Sequence, residues 1–415
     1  MKRGLFALVV LLLLTQTAAS RNRAGTFDEV WDVVKEHFFD PTLRGIDWND
    51  IRRRYRPAVL ADSDFGAAVN RMLAELRSSH TRFLTPDEPA YYELASIFRL
   101  EIEGRPAAYE GILATTRDLD GETFVEAVLE GGPAHEAGLL PGDRIVSVDG
   151  SPYHPIRSFR GRAGRRLKVR LQRTPGGPPL ERSVIPRRLV PTQAWLEVLE
   201  QSARIVERNG RRLGYVRVWS YAGDEVQEKV AEVLSEQLAA AEGLILDLRG
   251  GWGGASPEYL NLFNQEVPRM EVTGRDGVVR AWESQWRKPV VLLVDGQTRS
   301  GKEILAHGFR RFGIGPVVGS RTAGAVTGGR LFRLSSGDLL YLAVLAVKVD
   351  GVDLEGVGVE PDIAVEPAPL PYRAGDDPQR ERAEQVLAAA LGTRTDGLPG
   401  ARYGARTAPA LEGNP

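Results

Sequence analysis

Apolar residues recur with two different periods along this chain, and the change of period marks its organisation. Between residues 25 and 88 the spacing is helical: Phe27, Val30, Trp31 and Val34 share one face, and Ala68, Met72, Leu73 and Leu76 share another. The second of these helices is expected to fray over Arg77-Ser78-Ser79-His80, before an extended Thr81–Leu84. From 89 to 190 the pattern shortens to strands broken by turns. Phe124–Leu129 and Arg144–Val148 read as strands, Ala134–Ala137 as one helical turn, and 167–173 with 181–188 as a hairpin across Pro175-Gly176-Gly177-Pro178. From 191 to 368 apolar strands alternate with helices, the signature of an α/β layer architecture. Residues 212–219, 243–249 and 289–294 are its strands, and 226–240 and 301–312 its helices. A C-terminal helix is expected over 369–392. Beyond Gly392 the chain is rich in Gly, Pro, Ala and Arg without an apolar period, so 393–415 reads as a disordered tail.

Composition narrows the chemistry. The 415 residues are 42% hydrophobic and 26% charged with a formal net charge of −1, which fits a globular protein and carries no basic footprint for nucleic acid. Cysteine is absent, so disulfides, thiolate metal sites and a cysteine nucleophile are excluded. The histidines (His37, His80, His135, His154 and His307) are not spaced as zinc ligands, and no metal or other cofactor is implied. At the N-terminus, Lys2 and Arg3 precede an apolar run from Leu5 to Leu14 and small residues at Thr17-Ala18-Ala19-Ser20. That layout reads as a secretory signal peptide over 1–20, and it predicts an extracytoplasmic mature protein without a membrane span.

Two strand ends in the third region carry candidate chemistry. Ser300 follows a buried strand and opens a helix, where N-terminal amides stabilise developing negative charge. The same Ser300-x-x-Glu303 spacing is a capping box, in which the serine only closes the helix. After the neighbouring strand comes Gly250-Gly251-Trp252-Gly253-Gly254, whose glycines let backbone amides approach a substrate. Amides of Gly253 or Gly254 and of Gly301 are the candidate oxyanion donors. Lys302 lies two residues from Ser300, does not face it on a helix, and is expected to point to solvent. Lys348, in an alternating strand, is expected at the surface.

Two resemblances follow from these residues. The stretch GGPAHEAGLLPGDRIVSVDG (131–150) resembles a PDZ domain of the bacterial protease-associated form, implied over 89–190. Such domains add extended C-terminal peptides as a strand to a sheet edge. By this resemblance Gly111, Ile112 and Leu113 would form the carboxylate-capturing loop. The motifs DLRGGWGG, TRSGKE, VVGSRTAG and EGVGVEPDIAV resemble the catalytic domain of the C-terminal processing, or tail-specific, serine proteases. That family implies a helical N-terminal region, an inserted PDZ domain and a catalytic domain (191–368) of ClpP/crotonase-like spiral type, acting on proteins or peptides with accessible C-termini.

In that family the nucleophile is the serine of S-x-x-E, here Ser300, and the base is a lysine in T-x-G-K. Thr322-Ala323-Gly324-Ala325 occupies the latter motif, with Ala325 in place of the lysine. The related tricorn core protease implies a different set of serine, histidine, serine and glutamate. Ser79-His80-Thr81 and Glu355-Gly356-Val357-Gly358-Val359 match its segments, with Gly356 where asparagine is usual. Histidine is independently the side chain best suited to deprotonate a serine near neutrality, with a reference pKa of about 6.5 that puts its titration at pH 6 to 7. Ser79 or Glu355 would orient it. Each residue also has a plainer reading: His80 answering a helix dipole, Ser79 a turn hydroxyl, Glu355 a solvated carboxylate. Two functions follow, a secreted serine endopeptidase or an inactive PDZ-bearing relative that binds peptides or other ligands.

Overall fold

The computed structural model describes residues 23–392 apart from 103, 105, 106, 266, 268, 269, 276, 283 and 284. The segment 1–20 that reads as a signal peptide and the tail 393–415 lie outside the described residues. Among those described, no helix is long and apolar enough to cross a membrane.

The third region folds around a six-stranded sheet in the order Ile363–Ala364, Val317–Gly319, Val290–Val294, Gly243–Asp247, Arg211–Arg217, Arg204–Arg208. All neighbours are parallel except the last pair, a hairpin. The central strands Gly243–Asp247 and Val290–Val294 are buried at every position, as strands covered on both faces must be. Alternate residues serve opposite cores. Leu244, Leu246, Leu292 and Val294 pack with Val226, Val230, Leu305 and Phe309 of the helices Asp224–Ser235 and Gly301–Phe312. Ile245, Val291 and Leu293 meet Ala383, Leu387 and Leu391 of the C-terminal helix.

That last helix runs from Pro378 to Gly392, which corrects the expected start at 369. Pro367, Pro369 and Pro371 lack the N–H a helix needs. The segment instead straps the second region to the third. Tyr372 N–H donates to the Gly142 carbonyl at 2.9 Å, and Gly375 N–H to that of Pro141 at 3.1 Å.

The N-terminal helices, 23–37, Trp48–Ala61 and Phe65–Ala74, bury Phe27, Val30, Met72 and Leu73 in one core with Leu340 and Leu342. A short strand follows them, Arg82–Leu84, and pairs antiparallel with Leu339–Leu345, with Phe83 opposite Leu340. This pairing brings the residues just before Arg82 to the third region. The second region forms a five-stranded antiparallel sheet, with Ala114–Leu119 on its edge.

Candidate active site

The turn that carries Ser300 is built by Asp295 at the end of its strand. One carboxylate oxygen accepts from the amides of Gln297 (3.0 Å), Thr298 (2.9 Å) and Gly250 (3.1 Å), so the turn and the glycine loop share an anchor. Ser300 then adopts φ 57° and ψ −131°, a conformation costly for a residue with a Cβ, on the order of 1–3 kcal/mol. Sharp strand-to-helix turns of this kind project a serine out of the fold.

Ser300 and Glu303 do form a capping box. The Glu303 amide is also held by the Ser300 main-chain carbonyl at 2.8 Å, so the cap does not depend on the hydroxyl. Glu303 itself is fully buried and holds four donors: the Thr322 hydroxyl (2.5 Å) and the amides of Gly324 (2.7 Å), Ala325 (2.8 Å) and Ser300 (3.1 Å). Burial pushes its carboxyl upward against the pull of those donors. Through them Ala325 is fixed beside the helix start, and its carbonyl accepts the Ser300 N–H at 2.8 Å. The backbone from which a lysine would reach Ser300 is in place, and the side chain ends at a methyl group.

Opposite Ser300 lies Gly253. A Cβ there would stand 2.5 Å from Ser300 Cβ and 2.9 Å from Gly301 N, so only glycine fits. The amides of Gly253, Gly254 and Gly301 have no protein acceptor among the described residues. At Gly254 the missing Cβ is directed at Ala222. Lys302 corrects the expectation of solvent exposure: it is fully buried, donating to the carbonyls of Trp219 (2.8 Å) and Gly250 (3.0 Å). Burial pushes its ammonium down to about 7. Position i+2 does turn away from Ser300, but into the fold. Lys348 is exposed, just beyond the end of its strand.

His80 sits past the helix Phe65–Ala74 with φ 55°, its ring 5.3 Å from that of Tyr341. Its Nδ1 lies 2.7 Å from Ser79 Oγ, and Ser79 Oγ donates to Glu355 at 2.8 Å. A carboxylate only accepts, so the serine proton points to Glu355 and the serine oxygen accepts from His80 Nδ1–H. This network assigns the tautomer and leaves Nε2 with its lone pair. Glu355 also receives the amides of Ser79 (2.8 Å), Val326 (2.8 Å) and Thr327 (3.2 Å). Burial would raise its carboxyl, and these donors outweigh that and hold it below the usual range.

Gly356 occupies φ 74°, the left-handed region that glycine, and asparagine next, adopts most cheaply, which accounts for the departure there. Its amide donates to the Gly324 carbonyl at 2.8 Å. Thr327, which no sequence signal marked, completes the cluster: its hydroxyl lies 2.8 Å from Ser79 Oγ and 3.2 Å from His80 Nδ1. Burial pushes His80 down to about 4, with Glu355 opposing and Arg299 adding to the fall. No hydrogen bond joins His80 to Ser300 among the described residues. The segment 325–327 spans between them, bonded to Ser300 at one end and the histidine cluster at the other.

In the second region, Gly111 pairs with Arg187, while Ile112 and Leu113 are buried. Their carbonyls accept from Ala134 (2.9 Å) and Leu129 (3.0 Å), fixing the loop directly before the free edge of Ala114–Leu119. The region meets the Ser300 turn through Gln297, which donates to Glu126 at 2.6 Å.

Residues 19–76 match the tricorn protease C1 domain, 124–173 a PDZ domain, and 212–365 peptidase family S41. The chain is 26% identical over 404 residues to tricorn protease homolog 1 of Streptomyces coelicolor, covering 88% of this chain and 35% of that protein. It is 27% identical over 375 residues to a carboxyl-terminal-processing protease of Synechocystis, covering 84% of each. The chain thus spans about a third of the tricorn homologue and most of the processing protease. Among solved structures, the tricorn protease superposes with a TM-score of 0.54 at 20% identity, covering 90% of this chain and 37% of that one. The photosystem II D1 C-terminal processing protease gives 0.50 at 22%, covering 89% and 97%. The fold is shared with these two structures, and the tricorn C1, PDZ and S41 matches follow one another along the chain. Residues 212–365 thus match peptidase family S41, and the chain is similar along most of its length to carboxyl-terminal-processing proteases and to part of the tricorn homologues.

Proposed function

We propose that the protein is an extracytoplasmic serine endopeptidase that uses histidine rather than lysine as its base. Ser300 attacks the peptide carbonyl, and His80 Nε2 takes its proton and returns it to the leaving amine. Ser79 and Glu355, in series behind Nδ1, hold the imidazole in the required tautomer. Gly301 and Gly253 or Gly254 donate to the oxyanion, with Gly253 lying against Ser300. The observation that carries this reading is the continuous bond chain Glu355–Ser79–His80 at 2.8 and 2.7 Å, assembled next to a serine whose family base is missing. Burial keeps His80 neutral at rest, and the negative charge of the tetrahedral intermediate favours its protonation when it matters.

Export rests on the N-terminal sequence, and the spiral catalytic fold on family resemblance. Recognition of substrate C-termini by the PDZ domain is supported by the free strand edge after Gly111-Ile112-Leu113. One observation, Ala325, favours an inactive peptide-binding relative. A fluorophosphonate probe decides between them: stoichiometric labelling is expected, and a folded protein that never labels would be the binder.

The pH profile tests the base. Only neutral His80 accepts a proton, and with its pKa near 4 the acidic limb of kcat/KM is expected around pH 4, below the pH 6 to 7 of an unperturbed histidine. The same depression makes the unfolded chain the better proton acceptor between its ordinary 6.5 and about 4, so stability falls as pH drops through that window. A limb at pH 6.5 or above, measured with a small ester, would contradict this assignment.

A further inference from the structure

Lys302 is the buried ion that the proposed reaction leaves unused. It is fully buried, and no carboxylate contacts it among the described residues. Asp295 and Asp247 attract it from a distance, while Arg217 and Arg299 repel it. Burying an ammonium costs several kcal/mol unless strong acceptors replace water, and here the acceptors are two main-chain carbonyls. Trp219 O receives Lys302 Nζ at 2.8 Å and the Trp252 amide at 3.0 Å, and Gly250 O receives Nζ at 3.0 Å. Because C=O and N–H point in opposite directions across a planar peptide, fixing the carbonyls of a loop aims its amides. On the same loop the Tyr221 amide binds the carbonyls of Trp252 (3.3 Å) and Gly253 (3.0 Å). The Trp252–Gly253 peptide is thereby held with its N–H turned away from Tyr221, on the glycine whose missing Cβ faces Ser300.

We propose that Lys302 is a positioning residue: from the second position of the helix that Ser300 opens, it clamps the carbonyls of Trp219 and Gly250 and holds Gly250–Gly254 with the Gly253 amide aimed at the oxyanion. The helix that presents the nucleophile thus also sets the loop that stabilises the charge the nucleophile creates. This rests on the serine-peptidase reading above.

The test compares Lys302→Met, which keeps the stem without donors or charge, with Lys302→Gln, which keeps N–H donors. Losing one oxyanion donor costs about 10²- to 10³-fold in kcat, so a misaimed one in Lys302→Met is expected to cost about 10- to 100-fold. KM should stay within about threefold, because the amide acts on the transition state rather than on bound substrate. Affinity for a peptide boronate, which places a tetrahedral oxygen in the same position, should fall with kcat/KM, and Lys302→Gln should recover part of both. Hydrogen exchange of residues 250–254 should quicken in Lys302→Met, a readout that needs no activity. Wild-type kcat, boronate affinity or loop exchange in Lys302→Met, or a Lys302→Gln no better than Lys302→Met in any of them, would overturn the clamp. If Lys302→Met does not fold, Lys302→Gln carries the comparison. A wild-type protein that fails to label with fluorophosphonate would overturn the catalytic reading instead, with the clamp then judged on loop exchange alone.

Discussion

Ser300→Ala is expected to remove peptide cleavage and fluorophosphonate labelling together, with a loss on the order of 10⁶ in kcat, as for a nucleophile that works as part of a catalytic unit. The fold should survive. Losing an N-cap hydroxyl costs about 0.5–2 kcal/mol, and the low end applies because the Ser300 carbonyl already holds the Glu303 amide. Alanine inherits the same positive φ, so the turn keeps its strain. Thermal unfolding and turnover measured on one preparation separate the two effects. Cleavage at the wild-type rate would move the nucleophile elsewhere.

His80→Ala should lose on the order of 10² to 10⁴ in rate, the usual worth of a positioned acid–base group. Removing the ring also deprives Ser79 Oγ of the Nδ1–H donor, while Glu355 keeps three backbone amides and the Ser79 hydroxyl, so the surrounding loop should persist. Adding Ala325→Lys to this variant offers a base from the family's usual position, and partial recovery with an acidic limb at higher pH is expected. A His80→Ala enzyme within threefold of wild type, beside an inactive Lys302→Ala, would replace the histidine with a displaced serine–lysine pair.

Periodicity was enough to read the layers. Continuous apolar runs at 243–249 and 289–294 announced strands covered on both faces, and the helix Gly301–Phe312 began where its cap residues said it would. Motif order brought Ser79-His80, Ser300 and Glu355 into view as one set, while the pairing of Arg82–Leu84 with Leu339–Leu345 carries Ser79 and His80 toward the third region, where Ser79 bonds Glu355. Lys302 was misread because helical spacing tells which residues do not share a face, and not whether the other face is wet. Thr327 carries no local pattern, since its role comes from a fold contact across 248 residues to Ser79. The 369–377 strap was hidden because docking against Pro141 and Gly142 is set by a distant surface and not by local period.

The strand pairing at Arg82–Leu84 has a bearing on when the proposed site assembles. Ser79 and Glu355 are 276 residues apart, so joining them closes a loop whose entropy alone opposes contact by about 5 kcal/mol. The packed N-terminal helices and their strand must supply that closure. A chain emerging from the ribosome holds its histidine early and its serine late, and the glutamate that orients the histidine later still. Until all three have arrived and the first helices have docked, the serine has no base. On the proposed reading, proteolytic competence would come only once the histidine, the serine and the glutamate have all been joined by the completed fold.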